Sequence, residues 1–328
     1  MPALHPDVAR ARAAVRASLA DLEAGRLVLV GLSGGADSLA LTVAAAFAVP
    51  RLGLRLGAVV VDHGLQDGSA QAAARAAAQA RELGADPVDV ARVEVGRAGG
   101  PEAAARAARR AALTDAARRH AAVGVLLAHT QDDQAETVLL GLARGSGARS
   151  LAGMRPHDGL WRRPLLSMTH AQTRAVCDDA GLHAWADPHN EDPAYARVRV
   201  RRHLLPAFDD ALGPGTVEAL ARTADLVRAD ADLLDELADQ LSAEVTRADG
   251  MLEVAGLLAA PPALRSRVLR RAALSAGCPA TDLSAGHVAA VSRLVTDWHG
   301  QLGADLPGSV VATRSGGALR MRRRGVAP

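Results

Sequence analysis

The run LVLVGLSGGADS, residues 27–38, limits what this chain can become more than any other stretch. Six mostly apolar residues end in a turn with two adjacent glycines, and an alanine-rich, helix-forming segment follows at once. Strand, glycine turn and helix start in that order aim a row of backbone N–H groups at one point, where a polyphosphate can sit. Gly34 and Gly35 let the backbone approach without a Cβ clash, and Ala36 opens the helix. Ser33 and Ser38 offer hydroxyl donors. Asp37 puts a negative charge into an anion site, so Mg²⁺ bridging Asp37 and pyrophosphate is the natural inference. An ordinary helix cap would explain Asp37 alone, but not the whole set. The spacing S-G-G-x-D-S is not the G-x-x-x-x-G-K-[ST] of P-loop kinases and GTPases, and the chain contains no lysine at all.

Around this turn the first half alternates two patterns. Residues 27–32, 56–62, 88–95 and 123–129 read as short buried strands, and residues 36–48, 69–83 and 101–120 as helices. That alternation predicts an α/β fold with a doubly wound parallel sheet. Ligands of such sheets bind beyond the carboxyl ends of the strands. Three polar clusters follow three strands: the SGGADS turn, Asp62-His63, and His129 onward. They are expected to meet at one edge. Residues 145–206 read as a loop-rich connector, and helical patterns return at 215–247, 262–276 and 284–297. The tail reads as a hairpin around Gly316-Gly317. The expected division is a catalytic domain over residues 1–210 and a second, mainly helical domain over 211–328. Aromatic residues make up 2% of the chain against 49% hydrophobic, so the cores must be built from Ala, Val and Leu.

The segment HTQDDQAET, residues 129–137, carries the second signal. His129, Asp132, Asp133 and Glu136 are spaced i, i+3, i+4, i+7, which predicts one helical face able to bind a metal or a cationic substrate. Capping of a helix start explains one or two acids, not a histidine and three acids in register. Arginine is clustered as well: Arg106, Arg109 and Arg110 in one helical segment, Arg197, Arg199, Arg201 and Arg202 in another, and Arg320, Arg322, Arg323 and Arg324 at the end. Such clusters suit a phosphate-backbone partner, or a solvated face in a chain that uses arginine for every cation. The two cysteines, Cys177 and Cys278, allow no disulfide framework, zinc site or C-x-x-C pair. With no signal-like or membrane-spanning stretch, the chain reads as cytoplasmic with no membrane partner.

The turn resembles the signature of the PP-loop ATP pyrophosphatases, and further motifs narrow the resemblance. VDHGL (61–65), HTQDDQAET, ARGSGARSLAGM (143–154), RRPLL (162–166) and DPHNEDPAYARVRVR (187–201) follow it in order. Together they resemble the bacterial tRNA-isoleucine lysidine synthetase family over about residues 27–206. The resemblance implies an ATP-dependent, tRNA-modifying ligase. ATP adenylates the wobble cytidine of a CAU-anticodon isoleucine tRNA, and free L-lysine then displaces AMP to give lysidine, which switches decoding from AUG to AUA. It implies nucleotide binding by Ser33, Gly34, Gly35, Ala36, Asp37, Ser38, Asp62 and His63, and lysine binding by Asp132, Asp133 and Glu136. Asp37, His129, Asp133, Glu136 and Arg106 are the expected catalytic set, with Arg197, Arg199, Arg201 and Arg202 facing tRNA. Two positions depart from the family pattern, His189 where serine is usual and Val198 where asparagine is usual. The length matches the shorter, two-domain form, and a homodimer is compatible with it. The rivals are tRNA thiolation, which the lack of cysteines in this region opposes, and a small-molecule amide-forming ligase.

Overall fold

The computed structural model describes residues 4–325 apart from 65, 67, 95, 97–99, 146 and 188–190. Two compact units emerge: residues 1–143 with 153–224, and residues 144–152 with 225–328.

The first unit is built on a six-stranded sheet of order β3-β2-β1-β4-β6-β5. Its strands are β1 (Leu27–Leu32), β2 (Arg55–Asp62), β3 (Val88–Arg92), β4 (Gly124–Leu126), β5 (His157–Asp158) and β6 (Trp161–Arg162). All pairings are parallel except that of β5 with β6. Helices α1 (Pro6–Ser18), α2 (Ala36–Arg51), α3 (Ser69–Glu82) and α4 (Pro101–Arg119) precede or connect the first four strands. Strand alternation divides β1 between two cores. Val28, Val30 and Leu32 join α1, α2 and α3 on one face, and Leu27 and Leu29 join Leu113, Ala116 and Ala117 of α4 on the other. The predicted doubly wound sheet is therefore present, with β2 and β4 flanking β1 and the strand order reversing beside it.

Two predicted strands are shorter than expected. β3 stops at Arg92, and β4 covers three residues, so His129 lies beyond the strand. The predicted connector also contains more regular structure than its turn-rich composition implied. Helix α5 (Gln131–Ala143) leads into it, and it folds into α6 (Ala148–Leu151), α7 (His170–Asp179), α8 (Ala196–Arg199), a π-helical stretch (Val200–Leu204) and α9 (Leu205–Leu212). Helix α7 starts on a capping box in which Thr169 and Gln172 satisfy each other's backbone N–H.

The second unit combines the later part of α10 (Thr216–Val245) with α11 (Val254–Ala259), α12 (Pro262–Ser275) and α13 (Ala285–Thr296). The predicted C-terminal hairpin exists as β9 (Val310–Ser315) and β10 (Ala318–Arg323). It is the centre of a four-stranded antiparallel sheet completed by β7 (Leu252–Glu253) and β8 (Ala304–Leu306). These edge strands are too short to show a period of two in the sequence.

The RRPLL segment ties the sheet to the turn that follows the first helix. Arg162 is 4% exposed, and its guanidinium forks onto Asp21 at 2.6 and 2.8 Å. That hydrogen-bonded pair lowers the Asp21 pKa to about 2 from the ordinary 3.8. The bonus is present above pH 3.8 and is lost as pH falls towards 2. Asp21→Asn should therefore cost about 1 kcal/mol near neutral pH, Asp21 being largely solvent-exposed, with the difference vanishing in acid. Denaturant unfolding of both proteins across pH 2–7 measures it.

Candidate active site

At the carboxyl end of β1 the glycine turn is held by its own serines. Ser38 Oγ donates to the Gly35 carbonyl at 2.9 Å and accepts from the Ser33 N–H at 3.2 Å. Gly34 has φ +83°, and a Cβ there would press on Ala76 Cβ at 3.4 Å. The Gly34 carbonyl accepts from the Trp185 N–H at 2.8 Å. Gly35 caps α2 without any side-chain hydrogen bond, so the helix start keeps its N–H groups for a ligand. Beside it, Asp62 is buried at the end of β2 and accepts from the Gly64 N–H at 2.9 Å. His63 lies near Asp187 and Arg109, and burial lowers its pKa with help from the Arg109 charge.

Asp37 projects from the first turn of α2. Its Oδ2 lies 3.0 Å from His170 Nδ1, and the Thr173 hydroxyl donates to Oδ1. Burial opposes a charge on His170, but the hydrogen bond and charge of Asp37, with Asp133 behind, outweigh it and raise the pKa above the usual value.

The acidic segment begins α5. The structure corrects the single helical face: α5 starts at Gln131, so His129 sits in the preceding loop while the three acids ride on the helix. The reason is Thr130, whose hydroxyl accepts from the Asp133 N–H at 3.4 Å while Asp133 Oδ2 accepts from the Thr130 N–H at 2.8 Å. This reciprocal cap fixes the helix start after His129. Asp132 Oδ2 accepts from the His170 N–H at 2.8 Å. Asp133, Glu136 and His170 nevertheless converge, their ligand atoms lying within 4.8 Å of one another. Gln134 is buried and fastens the SLAGM motif, accepting from the Met154 N–H at 2.6 Å and donating to its carbonyl at 3.0 Å. Gly153, at φ +61°, makes room, because a Cβ there would lie 2.6 Å from Gln134 Oε1.

Electrostatics differ sharply within this cluster. Glu136 is 0% exposed; its Oε1 accepts from Arg201 Nε at 2.6 Å and Oε2 from Arg197 at 3.4 Å. Burial pushes its pKa up against the pull of Arg201. Asp133, 3.6 Å from Arg201, ends below the ordinary aspartate range: burial raises it, but His170, the Thr130 N–H and Arg201 lower it further. His129 is held neutral, burial bringing its pKa to about 4 with the help of Arg163, Arg106 and Arg109. Its Nδ1 has no hydrogen-bond partner among the described residues.

The expected residues thus divide. Asp37, Asp132, Asp133 and Glu136 gather around His170, while His129 lies beside Asp133 with Arg106 of α4 near enough to act on it. Arg197 and Arg201 lie inside the acidic cluster, whereas Arg199 donates to the Pro193 and Ala194 carbonyls and Arg202 pairs with Glu191 at 3.0 Å. Val198 is buried. His189 and Leu65 lie outside the described residues. Sequence reasoning missed His170 and Thr173. The signal for their helix was T-x-x-Q at Thr169–Gln172, a capping box.

Removing the Glu136 carboxylate takes away a buried counter-charge that Arg197 and Arg201 share. Glu136→Ala is expected to cost on the order of 2 kcal/mol, and Glu136→Gln less, because an amide oxygen still accepts. Denaturant midpoints of the two variants test this order.

Residues 8–208 match the family described as PP-loop domain, and residues 252–320 the TilS substrate binding domain. The tRNA(Ile)-lysidine synthase of Thermobifida fusca is 57% identical, covering 96% of this chain and 97% of the relative. That of Streptomyces coelicolor is 58% identical over 90% and 85%. That of Mycobacterium tuberculosis is 50% identical over 90% and 91%. Among solved structures, the U34-tRNA thiolase NcsA from Methanococcus maripaludis with its [4Fe-4S] cluster aligns at TM-score 0.56 and 18% identity, covering 67% of this chain and 78% of that one.

Proposed function

This chain belongs to the tRNA(Ile)-lysidine synthase family, and from that premise we propose that it joins free L-lysine to the wobble cytidine of the CAU-anticodon isoleucine tRNA at the expense of ATP. The observation that carries the reading is one continuous site, in which the glycine turn and the acidic start of α5 share His170.

ATP would lie with its phosphates over the Ser33–Ser38 turn and the free N–H groups of α2. Asp37 is the protein group that would hold Mg²⁺, whose charge, when bound, offsets that of the phosphates. Its carboxylate fits that task because it stands at an anion site with donors on both oxygens to orient it. Asp62 and His63 would border the nucleotide. Arg106 would face the departing pyrophosphate, where a fixed positive charge is worth most.

Lysine brings two ammonium groups and one carboxylate. Asp132 and Asp133 would attract an ammonium, while Glu136 already has counter-charges of its own in Arg197 and Arg201. The attacking amine must shed a proton before it can displace AMP. His129, neutral and with Nδ1 unpartnered among the described residues, or Asp133 beside it would take it. Arg199 and Arg202 would meet the tRNA backbone along with Arg197 and Arg201, and the homodimer stands as part of the same reading. Residues 1–210 would house the chemistry and 211–328 the tRNA recognition. The thiolation reading finds no support in the cysteines, since Cys177 and Cys278 cannot make the thiolate set that an iron–sulfur cluster requires.

The direct experiment incubates the protein with labelled lysine, ATP and total bacterial tRNA. Label in one isoacceptor, attached at the base, is expected; label at the terminal ribose or none at all refutes the proposal. Asp37→Ala should lower lysine-dependent AMP release by at least 100-fold, roughly what loss of a transition-state charge contact costs. Neutralising Arg199 and Arg202 together should reduce the slope of log affinity against log salt by about 1–2. An unchanged slope would place the tRNA elsewhere.

A further inference from the structure

The first turn of α7 touches both halves of the site. His170 Nδ1 stands 3.0 Å from Asp37 Oδ2 and 3.5 Å from Thr130 Oγ1, the hydroxyl that caps α5. One turn on, Thr173 donates to the other Asp37 oxygen. The His170 N–H donates to Asp132, and the Gln131 N–H donates to the Met168 carbonyl at 2.8 Å just ahead of α7. Helix α7 is itself immobilised by its capping box and by Val176 and Cys177 in the main core. A short polar anchor on a rigid element therefore reaches the start of α2 and the loop before α5, segments about ninety residues apart in the chain.

We propose that His170 is a positioning residue, which sets the Asp37 carboxylate of the glycine turn against the acidic start of α5 and so aligns the nucleotide and amine sites through one side chain. The nucleotide half needs only the PP-loop assignment; the amine half rests on the function proposed above. An aspartate in the first turn of a helix can rotate about two bonds, and donors on both oxygens remove that freedom before the ligand arrives. Metal ligation by Asp133, Glu136 and His170 competes poorly as an explanation, because Arg201 already spans Asp133 and Glu136. Thr173 carries the same function from the opposite oxygen, so the carboxylate plane is fixed by two groups of one helix turn.

The test is a mutant cycle read by calorimetric ATP binding, without lysine or tRNA. His170→Leu should weaken ATP binding roughly tenfold in the wild-type background and scarcely at all in Asp37→Asn, because its partner is already gone. His170→Asn, whose amide can donate from near the Nδ1 position, should recover most of the affinity. Multiplicative losses in the double variant, or an Asn variant no better than Leu, overturn the proposal. Should the Leu variant fail to fold, His170→Ala takes its place in the cycle with Asp37→Asn, and Thr173→Val removes the opposite donor in a second cycle. Steady-state kinetics with lysine then read the amine half: His170→Leu should raise the KM for lysine as well as for ATP, and a change in ATP alone removes that half. A wild-type protein that binds ATP yet attaches no lysine refutes the function and leaves the ATP cycle decisive for His170.

Discussion

Glu136 has no exposed surface, and a carboxylate so placed must find its counter-charge inside the protein. It finds two, from residues four apart in the chain, Arg197 on α8 and Arg201 on the π-helical stretch. The apolar contacts lie next door, where Val200 of that stretch and Leu205 of α9 pack with Ala135 and Leu139 of α5. Charge neutralisation and hydrophobic docking are thus one event. Neither helix could take its place without the other, and the acidic start of α5 is presented because its buried middle is fixed.

The sheet accounts for the other half of the arrangement. Strand order reverses beside β1, so the loops leaving β1 and β4 diverge and leave a crevice between them. The glycine turn lines one side and the His129–Thr130 loop the other. Helix α7 reaches across with polar groups of its first turn. Family relatives that share more than half their residues with this chain give the arrangement its chemical meaning, and the low-identity thiolase shows that the sheet scaffold alone does not determine the chemistry.

Much of this could be read from residues. The run from Leu27 to Ser38 announced strand, turn and helix because each segment's local preference agrees with its place in the fold. The short strands β5 to β8 could not be read, since two or three residues carry no period. The acids do share a helix, but it begins two residues after His129, because the Thr130 cap is a local hydrogen-bond choice that periodicity does not register. In sequence, Arg197 and Arg201 read as part of a basic cluster facing tRNA. Their role inside the cluster depends on contacts with Glu136 more than sixty residues away, which no local pattern encodes. His170 was hidden for the same reason, its partner Asp37 lying far upstream.

Helix α3 meets the sheet through Ala72, Ala73, Ala76, Ala77 and Ala80, with nothing larger than a methyl group on its buried side. Such a face gains little from each contact, but it lets the helix axis come very near the strands and sets the floor under Gly34. The tolerance of that wall is consequently one-sided. Trimming it further removes almost nothing, whereas each added carbon must lift the helix or push on the turn at Gly34. A composition that seems merely monotonous thereby acts as a template whose thinness gives the glycine turn its shape.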